Sequence, residues 1–402
     1  MVPGLRAASI WWASVAAGAL YALTALVVIV RRLGFERQRQ VLDAVEAGLA
    51  AGAAGQDALA AAVASAPLTL LWALGSDASV PRSVHQIIAA ALVHRLGPDR
   101  LAAVVDRASA RSARRIAALR ALALTRQVDS WRLLRAALNG SSREVAGATV
   151  ALLGELEDRR ASELLVEALT TGRYPRSRVA TALESSAEDI GDLLVPLLSS
   201  DDAHVRYWSA MLIRRHDLPG MSGLIEALTT DSNPMVRKAG LYALGRMGTA
   251  RAAETARRCL GDPVPYVRAY AVRAIAALGV RATLTSVIPL LADRDWWVRT
   301  AVKEALERAG ADIEHAVIPY LSHPDAFARN GAAEVLQNTG GFERLLTLEA
   351  SGPSDPQRLV LLEKLASAGG LRMSDGVLQR LPPSAQRRAR ALLTTVRLSA
   401  ES

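Results

Sequence analysis

Apolar positions in the middle of this chain fall at helical spacing, stop, and begin again 31 residues later. Val236, Ala239, Leu241, Leu244 and Met247 share one helical face, and the register restarts at Val267 and at Val298. Each run opens on a similar polar phrase: Asp231-Ser-Asn-Pro-Met-Val236-Arg237, Asp262-Pro-Val-Pro-Tyr-Val267-Arg268, Asp293-Arg-Asp-Trp-Trp-Val298-Arg299. Each closes on a glycine twelve residues after the Val: Gly248, Gly279, Gly310. A second apolar-faced stretch follows, such as Thr249 to Leu260, and Gly261 stops it. The pattern predicts two helices per period. Asp231, Asp262 and Asp293 are the expected N-caps, Pro234 fits the first turn, and Gly248 suits a left-handed C-cap. One such pair cannot bury both apolar faces, so stacking on neighbours is required.

The register extends both ways. Upstream it passes through Val205-Arg206, Pro175-Arg176, Val145, Arg114-Arg115 and Val84; downstream it reaches Ala328-Arg329 and Gln357-Arg358. About ten units from roughly residue 80 to the C-terminus are expected. His323 and Gly352 stand where the repeat Asp belongs, so those units should be looser or act as caps.

The phrase resembles the HEAT repeat family in its short bacterial form, the HEAT-like repeats also found in phycobilisome lyases. Asp231, Val236, Arg237, Ala243, Leu244 and Gly248 and their counterparts carry the resemblance. It implies an all-α solenoid that binds another macromolecule. It also implies an inter-unit ladder of Asp231, Asp262 and Asp293 with Arg237, Arg268 and Arg299, structural rather than ligand-binding.

The N-terminus follows another rule. Ser9 to Val30 is 22 residues without a charge, about 33 Å of helix against a hydrocarbon core of roughly 30 Å. Trp11 and Trp12 suit an interface at one end. Arg31, Arg32, Arg37 and Arg39 follow, against Arg6 before the stretch, which places the repeats on the cytoplasmic side by the positive-inside rule. A second uncharged stretch, Ala58 to Leu74, is Ala-rich and interrupted by Pro67, which favours two packed helices over a span.

Composition adds limits. Apolar residues make up 51% but aromatics only 4%, so alanine and leucine carry the core, as close-packed helix pairs require. No alternating β-branched run suggests a sheet. Cys259 is the single cysteine, in an apolar position of a second helix, so no intrachain disulfide can form. The formal net charge is +9, and residues 81–135 hold eleven Arg against Asp99, Asp106 and Asp129. Arg107, Arg111, Arg114 and Arg115 crowd one turn. They form either a face for anionic lipid headgroups, together with Arg31 and Arg32, or an ordinary solvated edge. Nucleic acid is another possible partner of a basic solenoid, disfavoured by the Asp and Glu mixed into the central units.

Candidate chemistry is sparse. His85, His94, His204, His216, His315 and His323 show no metal-ligand spacing, and no P-loop, GxGxxG, GxSxG, HExxH or CxxC motif occurs. The acids Asp201-Asp202 and Glu155-Leu-Glu157-Asp158 sit at helix ends, where caps are normal. No catalytic residue, metal site or cofactor is called. Trp296-Trp297 and, more weakly, Tyr207-Trp208 beside His204 are the candidate partner contacts, because exposed aromatics are frequent hot spots.

The sequence thus reads as residues 1–8, a transmembrane helix at 9–30, a juxtamembrane helical region at 31–79 and a HEAT-like solenoid at 80–402. The expected function is a single-pass, inner-membrane scaffold that docks a protein partner at the cytoplasmic face. The partner class is a membrane enzyme, for example a polysaccharide-synthesis glycosyltransferase. A HEAT-like lyase or a nucleic-acid-binding repair protein is the alternative.

Overall fold

The computed structural model describes residues 56–369, apart from 108, 128–129, 187–188 and 214–220, and residues 382–401, with single positions at 39, 43, 47 and 379. The apolar stretch 9–30 and both Arg31 and Arg32 lie outside the described residues. All regular elements among the described residues are helical. The chain forms two compact units, Met1–Glu188 and Asp189–Ser402.

In the first unit, residues 58–74 fall into two helices, Gln56–Ser65 and Leu68–Ser76. Pro67 divides them: it stands in extended backbone at the N-cap of the second, where its missing N–H is tolerated. Among the described residues no helix is long and apolar enough to cross a membrane. The pairs Arg82–Leu96 with Pro98–Asp106, Ser112–Leu124 with Ser130–Asn139, and Arg143–Glu155 with Arg159–Thr171 follow, then Arg176–Ser185. Asp158 caps its helix through the Arg160 amide at 2.9 Å.

In the second unit the first helices are Ala203–Leu212, Pro234–Leu244, Pro265–Leu278, Trp296–Ala309 and Ala326–Asn338, each packed on the next. The repeat Val positions (Val205, Val236, Val267, Val298 and Ala328) are all buried, as are Leu244, Ile275, Leu306 and Leu336 farther along. Each buried Val or Leu stabilises by about 1.5–3 kcal/mol. Small residues let the helices close up. A Cβ on Gly240 would lie 2.9 Å from Leu228 Cβ, and one on Gly245 would lie 3.1 Å from Ala274 Cα.

Several local expectations need correction. The caps of these helices are Asn233 and Asp295, which accept from the Met235 and Trp297 amides; Val264 caps by position alone. Asp231, Asp262 and Asp293 stand two residues earlier and instead accept the amides of Asn233, Val264 and Asp295 at 2.8–2.9 Å. An Asp side chain closes such a turn on its own backbone, and its second oxygen is left for another donor. Gly279, at φ 65° and ψ 15°, is a left-handed C-cap as expected. Gly248 is left-handed too, but its helix already ends at Leu244, so Met247 is only half-buried. The second helices are also shorter than a dozen residues. Arg281–Leu284 continues as the 3-10 run Thr285–Ala292 around Pro289, and Glu314–Val317 as Ile318–Ser322 with Pro319. Proline removes a donor and clashes with the carbonyl four residues back, so the turn tightens.

Candidate functional site

The repeated Arg and Asp are joined in one geometry. Arg206 Nε and Nη2 donate to Asp231 at 2.8 and 3.0 Å. Arg237 does the same to Asp262 at 2.8 and 2.9 Å, and Arg268 to Asp293 at 2.8 Å for both. The third nitrogen, Nη1, donates to a carbonyl of the arginine's own turn: Ser200, Asp231 and Asp262 respectively. Each guanidinium is thus clamped within its unit and forks onto the next, the bidentate arrangement that suits a planar cation and a carboxylate. Burial works to raise the carboxyls of Asp231 and Asp293. The hydrogen bonds from Arg206 and Arg268, the turn amides and the nearby positive charge outweigh it and hold both below the usual carboxylate range.

Arg299 departs from this pattern. Its Nη1 keeps the clamp, to Asp293 O at 2.7 Å and Arg294 O at 3.1 Å. The next unit offers no carboxylate at the ladder position, because His323 occupies the Asp place. The Nδ1 of His323 accepts the Asp325 amide at 3.1 Å, which preserves the turn, and its ring stacks on Tyr320 with centres 5.5 Å apart. The Arg299 guanidinium lies instead 4.1 Å from the Phe327 ring centre, a cation–π contact. Arg329 is clamped likewise, to the carbonyls of His323 and Pro324 at 2.8 Å. Beyond it Gly352 holds the Asp place, and the buried Glu349 is turned to Ser354 and Arg358 of its own unit.

Beside these arginines runs a row of exposed apolar side chains. Trp296 and Trp297 are 55% and 53% exposed and stack with ring centres 4.3 Å apart. Phe327 is 58% exposed, and Met235 and Tyr266 are about two-fifths exposed. Met235, Tyr266, Trp297 and Phe327 each directly precede a repeat Val position, one per unit, and His204 holds the same exposed place one unit earlier. Sequence reasoning singled out the two tryptophans and missed Met235, Tyr266 and Phe327. The available signal was a large apolar residue one step outside the buried stripe in four consecutive units.

Tyr207 and Trp208 meet edge to face at 4.9 Å on the helix three units earlier and are half-buried. Lys238 Nζ lies over both Tyr207 and Tyr270, at 5.9 and 4.9 Å. Packing between neighbouring units thus accounts for this pair better than it does for the tryptophans. In the first unit Arg107, Arg111 and Arg114 are exposed around the turn before Ser112–Leu124, whereas Arg115 Nε donates to Val105 O at 3.0 Å.

A second polar cluster is internal. His85 and Arg120 are buried, with Arg120 Nη1 2.8 Å from both Gly75 O and His85 Nε2. Burial first, and the Arg120 charge second, push the imidazole pKa down, so the ring is neutral at pH 7. Burial likewise pushes the Cys259 thiol up, which leaves it a small core side chain rather than a nucleophile. Among the described residues no cluster of His, Cys, Asp and Glu fits a metal ion. A cleft of about 910 Å³ beside Arg143, Glu144, Tyr174 and Arg178 is shallow, and no histidine or cysteine lines it.

Comparison with known proteins agrees with this architecture. Three overlapping segments, 191–265, 221–307 and 256–337, match the family described as HEAT repeats. Among solved structures, an engineered protein is 20% identical with a TM-score of 0.36, covering 90% of this chain and 99% of its own. Human deoxyhypusine hydroxylase in complex with glycerol is 18% identical with a TM-score of 0.27, over 63% of this chain and 99% of that one. Kap95p, solved with RanGDP, is 14% identical with a TM-score of 0.44; 90% of this chain spans 56% of it. Among curated proteins, no sequence matches this chain. Over residues 191–337 the chain is thus similar to HEAT repeats, and its regular elements among the described residues are helical.

Proposed function

We propose that this protein is a scaffold that docks a protein partner along the exposed row Met235, Tyr266, Trp296, Trp297 and Phe327, and that residues 9–30 hold it at the cytoplasmic face of the inner membrane. The row itself carries the reading. The repeat fold needs a buried Val in each unit and nothing apolar in the position before it. Four units nevertheless place Met, Tyr, Trp or Phe there. Contiguous exposed apolar side chains mark interaction sites more often than chance, and tryptophan is the residue most enriched among hot spots. The uncharged stretch 9–30, with the arginines after it, supports the membrane location. A membrane enzyme, such as a polysaccharide-synthesis glycosyltransferase, is the partner class such a scaffold would reach. The arginines at 107, 111 and 114 would then face anionic headgroups. No nucleophile, base or metal cluster among the described residues favours a lyase or glycosylase.

Photocrosslinking tests the row. A photoreactive residue at Tyr266 or Phe327 should trap one protein in membranes, and the same residue at the exposed Glu304, outside the row, should not. Equal labelling from all three positions would discount the row. Protease treatment of spheroplasts tests the side: digestion of the repeats from outside would overturn the cytoplasmic placement.

A further inference from the structure

The exposed row does not say what chemistry its partner brings; the interrupted ladder beside it does. Resting on the docking reading above, we propose that the partner is an acidic-apolar peptide segment whose carboxylates complete the ladder at Arg299 and Arg329. Three rungs, from Arg206, Arg237 and Arg268, show what this guanidinium does when a carboxylate is available. At Arg299 the clamp through Nη1 is intact, so the group is held in the same attitude. Among the described residues its Nε and Nη2 donors meet no acceptor, because His323 supplies only the turn half of the Asp's role. Arg329 repeats the arrangement, clamped to its own turn with Gly352 in the next Asp place. Two consecutive forks are thus preset for a carboxylate that the described residues do not provide.

The surroundings choose the class of partner. A cleft of about 280 Å³ opens at Arg299, walled by Trp296 and Phe327 and floored by Thr300 and Lys303. Lys303 is already paired with Glu334 at 2.6 Å, so the cation of the cleft without a carboxylate partner among the described residues is Arg299. An apolar side chain fits the aromatic walls while its neighbouring carboxylate reaches the fork. A nucleic-acid strand would meet the Glu334 carboxylate in the lining of the same cleft, where its phosphates would be repelled. Adjacent helices pack roughly 8–10 Å apart, and a polyproline II segment rises about 3.1 Å per residue with about three residues per turn, which brings residues three apart to one side. Two acidic residues three positions apart therefore match the two forks.

Fluorescence anisotropy on the full-length protein in detergent tests this with three labelled probes. One is an extended peptide with two glutamates three residues apart, flanked by leucine and phenylalanine. The second is its glutamine twin, and the third a single-stranded oligonucleotide of equal charge. The glutamate peptide should bind at least tenfold more tightly than its twin. Arg299→Gln with Arg329→Gln should bring that ratio near one. His323→Asp, which supplies the missing carboxylate from within, should lower it too while leaving the circular dichroism spectrum unchanged. Trp296→Ala should weaken both peptides alike. Equal affinity for the twins, a preference for the oligonucleotide, or no peptide binding would each overturn the inference. Twins that bind equally and are both weakened by Trp296→Ala would overturn it and leave the docking row standing.

Discussion

Replacing Asp262 with alanine should open two neighbouring helices and little else. The carboxylate accepts Arg237 Nε and Nη2 at 2.8 and 2.9 Å and the Val264 amide at 2.9 Å. The Arg237 and Asp262 side chains are only 13% and 9% exposed. An exposed ion pair contributes about 0–1 kcal/mol, whereas breaking a fully buried one costs about 3–5 kcal/mol. This pair lies nearer the buried limit, with some water access, and the turn amide adds roughly 1 kcal/mol. A loss of about 2–4 kcal/mol is expected. Because each repeat contacts only its neighbours, the loss should be local. Hydrogen exchange should speed up in Pro234–Leu244 and Pro265–Leu278 and stay unchanged in Arg143–Glu155. Asp262→Asn, which keeps an acceptor for Val264, should be milder. Glu254→Gln, at the exposed Arg257 pair, should be silent. Unchanged protection in the Asp262→Ala protein, or a loss spread evenly over the chain, would refute the reasoning.

Other expectations follow from the same contacts. Gly240→Ala should destabilise by about 1–2 kcal/mol in a denaturant titration. The new Cβ would meet Leu228 Cβ at 2.9 Å and backbone atoms at 3.1 Å, so overpacking outweighs the gain of roughly 1 kcal/mol in helix propensity. Asp231 and Asp293 are held below their ordinary value of 3.8, so the unfolded chain takes up protons first as pH falls. Their stabilisation is full above about pH 4 and disappears as pH drops through the lowered folded values. Arg206→Met with Arg268→Met should flatten that acid limb in urea midpoints. His85 is held neutral below its ordinary 6.5 by burial and Arg120. The unfolded state therefore binds the extra proton, and hydrogen-exchange protection of Arg82–Leu96 should weaken as pH falls from about 7 to 5; His85→Gln should remove that dependence.

The period, the paired helices and the buried Val stripe could all be read from spacing, because burial in a stacked fold imposes one register on every unit. The Asp–Arg ladder came from resemblance, and its interruption came from seeing His323 and Gly352 in the Asp place. The role of the Asp was misread. From spacing alone an Asp before a helix looks like a cap, yet Asn233 and Asp295 lie two residues closer and take that role. The short second helices were missed because Pro289 and Pro319 sit inside apolar runs that keep a helical period while losing the helical hydrogen bond. Which aromatic residues face outward was the hardest part. Tyr270 and Trp297 are both large and both near a repeat Val, but one is half-buried and the other exposed. Only the packing of adjacent helices separates them.

If the repeated phrase is structural and the exposed row is functional, separate substitutions should divide the two. Tagged protein at native levels, carrying Trp296→Ala, Trp297→Ala and Phe327→Ala together, can be purified from detergent-solubilised membranes beside the wild type, with partners quantified by mass spectrometry. The account predicts that a partner stoichiometric with the wild type falls at least tenfold with the triple variant, while helical content and hydrogen exchange stay the same. The same partner recovered at wild-type yield on the triple variant would contradict it.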